Sequence, residues 1–328
     1  MLTRHFAVPV LLASAALLLS GCATTAAGNA SSTDLTVVAT TSQIADFTRS
    51  VVGDTPGVSV TQLIQANQSA HSYDPSAADL TALGGADVLV INGVGLEEWL
   101  GDAIDASGFN GTTVDASHDV TVLGSEVGGD HAAEADHANG DPHIWTDVHN
   151  AETIVHSIEE GLVAASADNA AAFTANAEAY TQKLRGLDGW IRDNVNTVPV
   201  AERLLVSNHD ALGYYTAAYG ITYVGAVIPS FDDNAEPSAA AIDALVASIR
   251  ATGVTAVFSE ASLNPKTADT IAAEANVTVY SGDDALYVDS LGPAGSAGDT
   301  YLKAQIHNSM LILQSWGVTP TALPADLQ

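Results

Sequence analysis

The sequence predicts an α/β protein of two lobes, each a parallel sheet flanked by helices, joined by one long backbone helix. Three observations carry this expectation. Short apolar, β-branched runs alternate with helical stretches in two separate blocks, 34–148 and 200–328, and such alternation implies parallel sheets covered by helices. In the intervening segment, 149–199, Phe173, Ala177, Tyr180, Leu184, Leu187 and Ile191 recur at steps of four and three, which is one face of an α-helix. A chain of 328 residues also exceeds what one core usually holds.

The chain opens with a short basic start, Arg4 and His5, and an apolar run from Phe6 to Leu19. That run is shorter than the roughly 20 residues a membrane span requires, and it suits the core of a secretory signal over residues 1–22. Ala, Ser, Thr and Gly dominate 23–33, the composition of a flexible tether. Strands are expected at Leu35–Ala39, Val58–Leu63 and Asp87–Ile91, with Ser42 capping the first helix and Ser76 opening another. In the second block they are expected at Arg203–Ser207, Ile221–Val227, Val254–Ser259 and Val277–Tyr280. The long helix is expected over Asn169–Asn194, with Asp168 at its N-cap. At 1.5 Å per residue it would measure about 39 Å, enough to cross both lobes. Gly186 and Gly189 fall off its apolar stripe.

Charge narrows the function. Asp and Glu number 39 against 9 Lys and Arg, a formal net charge of −30. Such a surface repels nucleic acid and anionic lipid and attracts cations, so nucleic-acid binding is excluded. The same acidity also serves solubility in a salty or acidic setting. Cys22 is the single cysteine, so no internal disulfide can form.

The ten histidines are unevenly spread: His131, His137, His143, His149 and His156 fall within one short stretch. The segment 129–141 carries Asp130, His131, Glu134, Asp136 and His137 with almost no apolar residue, and reads as an exposed loop offering weak, exchangeable ligands for divalent cations. His71, His143 and His209 sit where strands or loops meet helices. His209 directly follows an expected strand, and parallel α/β sheets bind ligands at the carboxyl ends of strands.

From Leu35 to about Gly317 the chain resembles the zinc/manganese-specific solute-binding proteins of bacterial ABC importers. The motifs occur in order: His-Ser-Tyr-Asp-Pro from His71, Asp-Val-Leu-Val-Ile-Asn-Gly from Asp87, and Asp-Pro-His-Ile-Trp from Asp141. Ser-Asn-His-Asp-Ala-Leu-Gly-Tyr follows from Ser207, Val-Asp-Ser-Leu-Gly from Val288, and Gly-Asp-Thr-Tyr-Leu from Gly298. Leu19-Ser-Gly-Cys22 likewise resembles the lipobox of bacterial lipoproteins, in which the cysteine is acylated. The resemblance implies a metal site of His71, His143, His209 and Asp289, two from each lobe. Asp289 is preferred over Asp283 and Asp284 for its Val-Asp-Ser-Leu-Gly context. Three imidazoles and one carboxylate suit Zn2+ over Mn2+, since harder oxygen ligands favour manganese. The departures are small: Leu212 stands where an aromatic is usual, and Asp74 where Glu is common.

The implied function is extracytoplasmic capture of zinc for an ABC-type membrane permease, with manganese as the alternative cargo and a metallochaperone as a further candidate partner. The protein is expected to be a monomer that touches the membrane only through a lipid on Cys22. Four ligands would close the shell that a catalytic zinc keeps open for water, and no His-Glu-x-x-His motif is present, so no enzyme is expected. A surface adhesion role would need an exposed aromatic patch, which 6% aromatic content does not suggest.

Overall fold

The computed structural model describes residues 1–3, 34–124 and 140–328. The expected signal segment from residue 4 onward, Cys22 and the expected loop ligands Asp130, His131, Glu134, Asp136 and His137 lie outside the described residues. Among those described, no helix is long and apolar enough to cross a membrane.

The first lobe is built on β1 (Leu35–Ala39), β2 (Val58–Gln62), β3 (Val88–Ile91) and β4 (Thr112–Asp115), all parallel in the order β2-β1-β3-β4. Alternate residues feed opposite faces. Val37, Ala39, Val88 and Val90 enter the main core with α1 (Ser42–Val52). Val38 and Leu89 pack instead with α2 (Ala77–Gly84) and α3 (Leu100–Ser107). A strand buried on both faces reads as an unbroken apolar run, which is why β1 and β3 are visible in the sequence. The fourth strand is not, because only Val114 of its four residues is buried.

Two helices follow: α4 (Val148–Ala165) and the 26-residue α5 (Ala170–Val195). Every residue of the apolar stripe on α5 is buried, joined by Trp190 and Val195. This helix packs on α1 and α4 at one side, and at the other on α6 (Gly213–Tyr219) and α9 (Tyr301–Ser315). One continuous core therefore runs from the first lobe through α5 into the second. The expected cap at Asp168 is corrected. A 3-10 turn, Ala167–Asn169, leads into the helix, and Asn169 is the cap residue; its side chain makes no capping bond and donates to Ser166 Oγ at 3.0 Å instead. The turn takes up the backbone groups a capping side chain would otherwise satisfy.

In the second lobe the strands pair as two parallel ladders rather than one sheet. These are β5 (Leu204–His209) with β6 (Thr222–Ile228), and β7 (Ala256–Phe258) with β8 (Thr278–Tyr280). Leu205, Ala256 and Phe258 face the common core, while Val206 and Val257 pack with α7 (Ala239–Thr252) and α8 (Lys266–Ala275).

The first helix shows a second correction. Thr41, not Ser42, is its cap, its Oγ1 accepting the amide of Ile44 at 3.2 Å. The Ser42 hydroxyl instead accepts the amide of Leu291 at 2.9 Å, tying the first helix to the segment that carries Asp289.

Candidate metal centre

The cleft between the lobes lies at the carboxyl ends of the strands, where open α/β sheets bind ligands. His71 stands in the loop after β2, and His143 just before a 3-10 turn, Ile144–Thr146. His209 is the last residue of β5, and Asp289 follows β8 and the turn Gly282–Asp284. One ligand atom from each of the four residues lies within 4.8 Å of all the others. The exposed pair Asp283 and Asp284 is no part of this cluster.

The spacing is that of a coordination shell. His143 Nε2 is 3.2 Å from His71 Nε2 and 3.3 Å from His209 Nε2. Asp289 Oδ2 stands 3.5 Å from His71 Nε2 and 3.1 Å from His209 Nε2, and its Oδ1 is 3.5 Å from His143 Nε2. Four bonds of about 2.0–2.2 Å in a tetrahedron separate their donors by about 3.3–3.6 Å. Both oxygens of Asp289 are buried without a hydrogen-bond partner among the described residues, an arrangement that calls for a cation.

Carboxylates behind the imidazoles set which nitrogen faces the cluster. His143 Nδ1 is 2.7 Å from Asp141 Oδ1, and His209 Nδ1 is 2.6 Å from Glu260 Oε1. An Nδ1–H donated to a carboxylate leaves the Nε2 lone pair free for a metal and makes it more basic. Lone pairs facing one another at such distances need a proton or a cation between them. Burial opposes charging of His209, but Asp289 and Glu260 outweigh it and push its pKa well above the ordinary value. Burial also disfavours the Asp289 carboxylate, yet the facing charges of His209 and His143 hold it well below the usual range. For His71 burial again lowers the pKa, and Asp289 and Asp233 reverse that to a net rise.

The supports reach back into the sheet. Glu97 accepts the Thr40 hydroxyl at 2.6 Å and the Asn92 amide at 2.7 Å, bridging the ends of β1 and β3. Asn92 Nδ2 then donates to the Pro142 carbonyl at 3.0 Å, beside His143. The chain next turns through Gly93, Val94 and Gly95, all at positive φ. That conformation is open to glycine but strained for a β-branched valine, and Val94 lines the mouth of the cleft with His71, Pro142 and Phe231.

Sequence reasoning did not single out Glu260 or give Asp141 a role. Glu260 directly follows an expected strand end, and that position was the signal available. Asp141 was expected within the exposed loop. It is instead buried, 3% exposed, because it accepts both the backbone amide of His143 at 2.9 Å and its ring. His149 and His156 lie exposed on α4, away from the cluster.

Fold and cleft together define a two-lobed α/β binding protein with an imidazole–carboxylate cage between its lobes. Residues 37–314 match the family described as ZnuA, zinc-uptake complex component A, periplasmic. The chain belongs to this family, the solute-binding proteins of metal ABC importers, and is a binding protein, not an enzyme. It is 32% identical over 294 residues to the manganese-binding lipoprotein MntA of Halalkalibacterium halodurans, covering 89% of this chain and 92% of that one. It is 30% identical over 277 residues to the zinc-binding protein TroA of Treponema pallidum, covering 83% of this chain and 85% of that one. The solved structure of the T. pallidum protein superposes with a TM-score of 0.75 at 27% identity, covering 85% of this chain and 98% of that one.

Proposed function

We propose that the protein captures a divalent transition metal at His71, His143, His209 and Asp289, zinc in preference to manganese, and delivers it to its membrane permease. The observation that carries this reading is the convergence, at coordination spacing, of three imidazole nitrogens and a buried carboxylate whose oxygens have no hydrogen-bond partner among the described residues. Three nitrogens and one oxygen favour zinc. With one carboxylate in the shell the loaded site carries a charge of about +1, and Asp141 and Glu260 offset it from behind. Cys22 supplies a lipid anchor after export, and the segment 129–139 raises local metal concentration without forming the tight site. The protein acts as a monomer.

Manganese is the second reading, favoured by one feature. Both Asp289 oxygens face the cluster, so a bidentate carboxylate would add a fifth, hard donor. Elemental analysis of protein purified without added metal, paired with zinc–manganese competition, tests both. One equivalent of zinc that manganese fails to displace supports the first reading. Retention of manganese in preference to zinc supports the second, and no bound metal overturns both.

A further inference from the structure

The three histidines are not held alike. His143 and His209 are fully buried and braced through the ring, whereas the side chain of His71 is 11% exposed and its only ion pair among the described residues is with Asp289. Its bracing comes through the backbone. The His71 amide donates to Ser69 Oγ at 3.2 Å, and the Ser69 hydroxyl donates to Asp233 Oδ1 at 2.8 Å. Asp233 belongs to the second lobe, in the segment after β6. It is 5% exposed, and its Oδ2 is buried without a hydrogen-bond partner among the described residues.

Two further bonds tie the same loop to the second lobe. Asn67 N donates to Ser290 Oγ at 2.8 Å, and Asn234 Nδ2 donates to Ser72 Oγ at 3.0 Å. From the other side Trp99 Nε1 of the first lobe donates to the Ala70 carbonyl at 3.2 Å. The loop carrying His71 is thus gripped from both lobes, and Asp233 is the buried carboxylate that takes part in its hydrogen bonds.

We propose that Asp233 is a positioning residue for His71: through Ser69 it latches the His71 loop onto the second lobe, so that metal leaves only when this latch opens. The inference rests on His71 being a metal ligand. A buried carboxylate with one oxygen left over is costly unless something nearby compensates, and a cation on His71 and Asp289 does so. Loading therefore strengthens the latch, and the latch slows release.

The test is zinc transfer from the loaded full chain to excess chelator, followed by stopped flow. Asp233→Ala and Ser69→Ala should each speed release about tenfold or more, the consequence of losing a hydrogen bond to a charged group. The double variant should be no faster than the faster single one, because both break the same link. Asp233→Asn, which keeps an oxygen for Ser69, should return release to within about threefold of the starting protein, a rescue that general destabilisation would not produce. Ser69→Ala removes a single hydroxyl and keeps the test available if Asp233→Ala fails to fold. Unchanged release in both single variants, or full additivity in the double, overturns the latch alone. Absence of tight zinc binding in the unaltered protein overturns the functional reading, and the latch with it.

Discussion

Glu260 holds His209 twice with one oxygen, accepting its backbone amide at 3.1 Å and facing its Nδ1 at 2.6 Å. The carboxylate thereby sets both the ring's orientation and the nitrogen offered to the metal. Glu260→Ala should weaken zinc affinity about 10–100-fold, the usual cost of losing a partner behind a metal-bound histidine. Competition against a chelator of known affinity measures it, and an unchanged affinity would show that His209 needs no brace.

Asp289 is the single anionic donor of the cluster. Asp289→Ala should abolish the tight site, whereas Asp283→Ala and Asp284→Ala, in the exposed turn Gly282–Asp284, should leave it intact. Stoichiometry by equilibrium dialysis separates these outcomes. Loss of binding in either turn variant would reassign the carboxylate.

Metal and protons compete for the same nitrogens. The pKa of His209 lies well above its usual 6.5 in the metal-free fold, and that of His71 is also raised. Apparent zinc affinity should therefore begin to fall while pH is still above 6.5, with a limiting slope of about 2 protons from these two residues. The metal-free fold behaves oppositely. The stabilisation from His209 is complete below pH 6.5 and is lost as pH rises through the raised value. That from Asp289 is present above pH 3.8 and is lost as pH falls through the depressed value. Melting curves of the metal-free and loaded forms between about pH 5 and 8 should diverge as pH rises. Parallel curves would remove the histidines from the linkage.

On α5 both glycines lie off the buried stripe, but their surroundings differ. A Cβ at Gly189 meets nothing within 4 Å, whereas one at Gly186 meets Asp326 Oδ2 at 3.1 Å. Gly189→Ala should stabilise the protein by about 1 kcal/mol, and Gly186→Ala by less. Thermal denaturation checks the order, and a reversed ranking would show that the contact with Asp326 is not limiting.

Much of the architecture is legible in the chain alone because burial writes apolar signals, an unbroken run in a strand covered on both faces and a periodic stripe on a helix covered on one. The first strand, Leu35–Ala39, and the stripe from Phe173 to Ile191 each bury what their patterns announce. The strand Thr112–Asp115 is silent, since an edge strand with one buried residue leaves no period to read. Helix caps were displaced by a residue or so at both Ser42 and Asp168. The backbone can satisfy its first amides in several local ways, and in each case a neighbouring contact or turn made the choice.

The sequence by itself determined the α/β alternation, the spanning helix, the acidic surface and, through ordered motifs, four ligand candidates scattered from His71 to Asp289. Tertiary structure alone decided that their nitrogens and oxygens meet at 3.1–3.5 Å. It alone paired Glu260 with His209 and, across the cleft, Ser69 with Asp233. The reason is physical: periodicity records which face of an element is buried, a property of neighbours along the chain. A coordination shell joins residues more than 200 positions apart, and its geometry exists only once the common core has set the two lobes against the long helix.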